Sequence, residues 1–239
     1  MEPLVSAERA FARAVRRLQF GPPVAFVYNP LLYARAPHED YLSKYARPGV
    51  RVMILGMNPG PWGMAQTGVP FGEVATVRDW LGVRGKVGAP ERFHPRLPVT
   101  GFDCPRSEVS GQRLWGLLRR YYRSADALAA DLFVSNYCPL LFLDEGGRNI
   151  TPDKIALPDR APLYALCDGL LRVTLELVRP RWLVGVGSFA TSRIRDTVSS
   201  VPDLAVQVAT VLHPSPASPA ANRDWAAQAE RALRDQGVW

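Results

Sequence analysis

Long apolar runs are missing from this 239-residue chain: Pro139-Leu140-Leu141-Phe142-Leu143 is typical of the longest, well short of the ~18 residues a membrane helix needs. The opening residues do not read as a signal peptide, because Glu2, Glu8, Arg9, Arg13, Arg16 and Arg17 leave no apolar core. Cysteine is scarce. Cys104, Cys138 and Cys167 are odd in number and far apart, which excludes a disulfide framework and metal-ligand spacing and predicts a reduced, metal-free cytoplasmic protein. Several catalytic signatures are absent too. The loop after the first strand has no G-K-S/T, and no G-x-S-x-G occurs, so neither a P-loop nor a hydrolase nucleophile elbow is present. No carboxylate pair falls at the strand ends, as an ordinary O-glycosidase would require, and Glu73 reads as a first-turn helix acid.

Lysine is nearly absent: the 29 basic residues include only Lys44, Lys86 and Lys154, and the net charge is +7. Arginine binds phosphate bidentately and stacks on bases, so the bias suits a nucleic-acid partner. A GC-rich genome produces the same bias. With 47% hydrophobic and 21% charged residues the chain is a folding one, read as a single domain over residues 1–239.

Four β-rich runs lie at Arg51–Gly56, Asp131–Ser135, Arg181–Val186 and Val206–Leu212. Near-continuous apolar strands separated by helical segments predict a three-layer α/β/α sandwich around a central, mainly parallel four-stranded sheet. Helices are expected over Ser6–Leu18, Ser110–Tyr121 and Pro162–Val178, and over a last segment capped by Ser218 with Pro219 in its first turn, running to about Gln236. Residues 83–108, rich in Gly, Pro, Arg and His, read as an irregular surface excursion.

In open α/β sheets ligands bind beyond the carboxyl ends of the strands. Strand one runs into Asn58, strand two into Asn136 and strand four into His213, which brings two carboxamides and an imidazole to one rim. Each alone has a plainer use: Asn58 and Asn136 as turn or cap residues, His213 as a structural histidine. Gly185-Val186-Gly187-Ser188-Phe189-Ala190 matches G-x-G-x-x-A, but its place on the third strand favours a tight strand-to-helix turn over a dinucleotide cradle.

The segment Gly56-Met57-Asn58-Pro59-Gly60-Pro61-Trp62-Gly63-Met64-Ala65-Gln66-Thr67-Gly68-Val69-Pro70-Phe71-Gly72 resembles the first motif of the single-strand-selective monofunctional uracil-DNA glycosylases. His213-Pro214-Ser215-Pro216, then Pro219 to Asn222, resembles their second motif, and Val134 to Leu140 their base-reading segment, a likeness spanning about residues 25 to 225. Other branches of the superfamily have an Asp-Pro-Tyr-His or Ile-Asn-Pro-Gly first motif, or the cysteines of an iron–sulfur cluster.

The resemblance implies hydrolysis of the N-glycosidic bond of uracil, and of 5-substituted uracils such as 5-hydroxymethyluracil, in single- and double-stranded DNA. The enzyme would leave an abasic site, need no cofactor, and work as a monomer in the cytoplasm or, in a eukaryote, the nucleus. Asn58 and His213 would be catalytic, the first positioning water and the second bonding uracil O2. Met57, Gly60, Gly63, Met64, Phe71 and Asn136 would hold the base, with Gly60 and Gly63 leaving room at its 5-position. Pro214, Ser215, Pro216, Ala217, Ser218, Pro219 and Asn222 would form the wedge that enters DNA. Ala217-Ser218 stands where the family carries Arg-Asn, which puts duplex recognition in doubt. A catalytically silent nucleic-acid-binding module on the same fold, and a nucleotide-binding enzyme using Gly185–Ala190, are the alternatives.

Overall fold

The computed structural model describes residues 2–239. In chain order, α1 (Glu2–Val15) and β1 (Phe26–Tyr28) are followed by α2 (Pro30–Tyr33) and α3 (Arg35–Tyr45). β2 (Val52–Gly56) then leads to α4 (Met64–Thr67), α5 (Val109–Tyr122), α6 (Ala125–Asp131) and β3 (Leu132–Asn136). After β4 (Leu141–Leu143) and β5 (Asn149–Ile150) come α7 (Leu157–Val178), β6 (Trp182–Val186), α8 (Ser188–Val198), β7 (Gln207–Val211) and α9 (Trp225–Asp235).

The four apolar runs form one parallel sheet in the order β3-β2-β6-β7. Every residue of β2 and β6 is buried, the pattern of inner strands covered on both faces. The covering helices fall into two packed groups, α1 with α7 and α8, and α5 with α6 and α9. The register sets Gly56 opposite Asn136, so these two strands end together.

Three helices start elsewhere than the sequence suggested. Helix α1 runs from Glu2 and stops at Val15, where Arg17 and Leu18 donate to Ala14 and Val15 in a tightened last turn. Helix α7 begins at Leu157 with a proline in its first turn and carries Pro162 inside. The largest shift is at the end. Ser218 opens one turn only, its oxygen accepting from the Asn222 N–H at 3.2 Å. Asp224, at φ 57°, then breaks the chain direction and its side chain caps α9 by accepting from Ala227 N–H. Trp225 is buried and donates Nε1–H to the Leu212 carbonyl at 2.6 Å.

A second sheet, antiparallel in the order β1-β4-β5, was not foreseen. Its strands of 3, 3 and 2 residues are too short to show a period. Residues 83–108 are irregular as expected, but they are anchored, not loose. His94 and Cys104 are buried, and the His94 N–H donates to Tyr28 Oη while Tyr28 donates to the Leu97 carbonyl, both at 2.8 Å.

Buried Glu8 on α1 pairs with His38, whose Nδ1 lies 2.7 Å from the Gly68 carbonyl. Burial pulls the His38 pKa down, but the Glu8 carboxylate outweighs it and the net shift is upward. A charged imidazolium can donate from both nitrogens, so this pair ties α1 to the loop after α4.

Gly185-Val186-Gly187 is a packing device. A Cβ at Gly185 would lie 2.6 Å from the backbone nitrogen of Thr191, and Gly187 has φ +86°. Gly185→Ala is expected to lower the unfolding free energy by about 1–3 kcal/mol in urea titration. Gly169, inside α7 with nothing within 4 Å of its Cβ position, gives the contrast: Gly169→Ala should raise it by about 0.5–1 kcal/mol.

Candidate active site

The loop after β2 and the loop after β3 are locked to each other. Tyr137 and Cys138 donate their backbone N–H groups to the Gly56 and Met57 carbonyls, both at 2.9 Å. Gln66 staples the outer side. Its Nε2 donates to Pro61 O and Pro98 O, and its Oε1 accepts from the Thr100 and Gly101 N–H groups. One buried amide thus fixes the first motif to the 83–108 segment.

Phe71 holds φ 54°, a left-handed conformation that costs an aromatic residue energy and persists only when neighbours enforce it. The enforcement is visible. Glu73 N–H donates to Phe71 O and Gly72 N–H to Val69 O, each at 2.8 Å, and Thr67 Oγ1 donates to Gly72 O at 2.9 Å. Gly111 of α5 presses against the Phe71 carbonyl. Glu73 is a local cap, as its position suggested, accepting from the Ala75 and Thr76 N–H groups.

The strain places the Phe71 ring beside the end of the sheet. A Cβ at Gly56 would lie 2.5 Å from Phe71 Cε2 and would also strike Asn136 Oδ1. Asn136 is 7% exposed; its Nδ2 has only a weak contact at 3.4 Å to Met64 Sδ, and its Oδ1 is buried without a partner. Such a group costs about 1–3 kcal/mol unless a ligand completes it. The ring of His213 faces the same space, its centroid 6.4 Å from that of Phe71.

His213 is half-buried, and burial lowers its pKa. Ser215 N–H donates to its Nδ1 at 3.1 Å, so the neutral ring carries its proton on Nε2 and offers that N–H as a donor. Asn58 stands at the half-buried rim, its Nδ2 donating to Pro59 O at 3.1 Å and to Asn149 Oδ1 at 3.3 Å. Asn136, Met64, Phe71 and His213 thus gather at the end of the main sheet, while Asn58, two residues beyond β2, is tied to Asn149 of β5, and Met57 between them accepts from the Cys138 N–H.

The segment 214–222 is braced from α5. Arg113 donates to Pro214 O at 3.0 Å and to Asn222 Oδ1 at 2.8 Å, while Asn222 Nδ2 donates to Pro216 O at 2.9 Å. Pro214 is buried; Pro216, Ala217 and Pro219 are exposed, and Ser215 and Ser218 intermediate. Among the described residues, no group of three or more His, Cys, Asp or Glu side chains gathers as a metal site, and no helix is long and apolar enough to cross a membrane.

Glu108, Arg113 and Asn149 escaped the sequence reading, for none lies at the end of a strand of the main sheet. Glu108 matters most to Gly60 and Gly63. A Cβ at Gly60 would lie 2.5 Å from Glu108 Oε2, and Gly63 faces the same oxygen; the space beside both glycines, expected from the resemblance to stand open for a 5-substituent, instead holds a carboxyl group. Oε2 is buried without a partner, and burial pushes the pKa up to about 7, against the pull of the Gly63 amide. Because the folded value exceeds the unfolded one, the folded chain binds the extra proton between about pH 4.5 and 7, so stability falls as pH rises through that window. Glu108→Gln should flatten the thermal-stability profile between pH 5 and 8 relative to the parent, measured by calorimetry. An unchanged pH dependence would show that Glu108 stays ionised.

The family model described as the uracil DNA glycosylase superfamily matches residues 43–235. The single-strand selective monofunctional uracil DNA glycosylase of Bos taurus is 48% identical over 225 residues, 94% of this chain and 82% of the relative. The Rattus norvegicus enzyme of that name is 47% identical over 93% of this chain and 80% of its own. A crystal structure of wild-type SMUG2 from Pedobacter heparinus superposes with a TM-score of 0.69 at 16% identity, covering 98% of this chain and 97% of that one, which bears on the fold alone. The chain belongs to the uracil-DNA glycosylase superfamily, and its curated relatives there are the single-strand selective monofunctional enzymes.

Proposed function

We propose that this protein is a monofunctional uracil-DNA glycosylase that acts on uracil and 5-substituted uracils in single- and double-stranded DNA. Residues 1–239 would act as one domain, a reading supported by a core cluster that draws residues from Leu4 to Val238. The observation that carries the functional reading is the unsatisfied Asn136 carboxamide beside the Phe71 ring. Uracil offers N3–H to Asn136 Oδ1 and O4 to its Nδ2. Cytosine presents the reverse pattern and would leave both groups unpaired, which rejects it strongly. The base must leave the helix to arrive there, at a cost of a few kcal/mol, and Phe71 is the surface on which it stacks.

In the reaction the C1′–N1 bond breaks, leaving a cationic sugar and a uracil anion. Neutral His213 donates Nε2–H to O2 as the negative charge grows, and a donor already in place loses nothing to reorganisation. Asn58 holds the water whose oxygen bonds to C1′. An amide is too weak a base to deprotonate it beforehand, and a dissociative transition state does not require that; the proton leaves once the C–O bond has formed. The product is an abasic site with the backbone intact.

The test is single-turnover release from oligonucleotides that each hold one altered base, scored by alkaline scission in excess chelator. Uracil and 5-hydroxymethyluracil should be released, cytosine and thymine poorly; release of cytosine would remove Asn136 as reader. Asn58→Ala and His213→Ala should each slow the step by about 10²–10³, the scale of one preorganised contact, with little change in binding to abasic DNA. The exposed tip at Ala217 has no long side chain to fill the gap left by an extruded base. Ala217→Arg should therefore speed release from duplexes more than from single strands; equal changes on both would show that this tip does not enter DNA.

A further inference from the structure

The small antiparallel sheet has a use that its size hides. Its last strand, β5, delivers Asn149 to the carboxamide of Asn58. The hairpin carrying Asn149 is held from several sides. Asp144 N–H donates to Arg148 O at 3.0 Å, and Asp144 Oδ1 accepts from the Arg148 N–H at 2.8 Å. At its tip, Gly147 packs on His94, whose Nε2 lies 3.1 Å from the Glu145 carbonyl. Asn149 itself is paired across the sheet with Leu143 through the backbone. Its side chain is not needed for that pairing and is exposed.

That side chain closes a three-membered cluster. Asn149 Nδ2 donates to Pro59 O at 3.2 Å, and its Oδ1 accepts from Asn58 Nδ2 at 3.3 Å; Asn58 Nδ2 also donates to Pro59 O at 3.1 Å. A carbonyl oxygen can only accept, so Pro59 O dictates that both amides turn their nitrogens toward it. Both protons of Asn58 Nδ2 are then engaged, one on Pro59 and one on Asn149. Among the described residues no donor reaches Asn58 Oδ1, which is left as the acceptor available to solvent.

We propose that Asn149 is a positioning residue that holds the Asn58 carboxamide with Oδ1 turned to the attacking water. Held this way, the water donates a proton to Oδ1 and keeps a lone pair for C1′. Without Asn149, Asn58 keeps one bond to its neighbour's carbonyl and can rotate to offer Nδ2, which would take the water's lone pair instead. Misorientation of a reacting group on this scale costs about tenfold to a hundredfold. The inference rests on the glycosylase reading of Asn58.

The experiment is a double-mutant cycle on single-turnover uracil release from single-stranded DNA, with Asn149→Ala and the near-isosteric Asn149→Leu, each alone and combined with Asn58→Ala. Both single Asn149 variants should slow release by about tenfold to a hundredfold, with thermal stability and affinity for abasic DNA unchanged. In the Asn58→Ala background they should slow it less than about twofold, because the group they orient is gone. A full-rate Asn149→Ala, or the same fold loss with and without Asn58, overturns the assignment. Loss of abasic-DNA binding in place of rate overturns it as well, since that would make Asn149 a DNA contact. A parent chain that releases no uracil would instead strike the functional reading, and would be seen before any variant is compared.

Discussion

The recess at the sheet's end exists because position 56 has no side chain. Gly56 ends β2 directly opposite Asn136 at the end of β3, and the volume its Cβ would fill is shared by the Asn136 amide and the Phe71 ring. Parallel pairing fixes that opposition to the residue, since a one-step slip would turn every side chain to the other face. The buried, uniformly apolar β2 and β6 make such a slip prohibitive. The sheet register thus sets the Asn136 amide beside Gly56, and the strained loop after α4 brings the Phe71 ring to the same place.

Around that constraint the polar groups divide into satisfied and unsatisfied ones. Gln66 has both ends of its amide occupied by backbone, and it behaves as a structural staple. Asn136 Oδ1 and Glu108 Oε2 are buried without partners, and both border the first motif. A folded chain tolerates few such groups. Together with the left-handed backbone of Phe71 they show local cost accepted around the first motif.

Much of this was legible in the residues. The four strands of the main sheet announced themselves as apolar runs, and the topology of a parallel sheet then required that Asn58, Asn136 and His213 share a rim. The antiparallel sheet was invisible because its short strands carry no repeat, and with it went Asn149. Glu108 ends the irregular 83–108 segment, and Arg113 sits within the periodic stretch of α5 as one arginine among many. The start of α9 was misjudged for a clear reason. Ser218-Pro219 does begin a turn, as such a pair should, but the left-handed backbone of Asp224 and the burial of Trp225 restart the helix six residues later.

Arg113 holds the 214–222 segment by the Pro214 carbonyl and the Asn222 amide, and nothing in that clamp involves the side chains of residues 215–219. The loop is moored at its two ends, and within the tip Ser215 Oγ accepts from the Ala217 N–H and Ser218 Oγ from the Ala221 N–H, while the Ala217 side chain is exposed. His213 lies before the first mooring, with its tautomer set by a backbone N–H. Under the proposed function, the stretch that would meet DNA and the imidazole that would act on the base accordingly adjoin on one loop but are held by different contacts. Under that reading, exchanging tip residues would change the surface offered to DNA and leave the imidazole where it was.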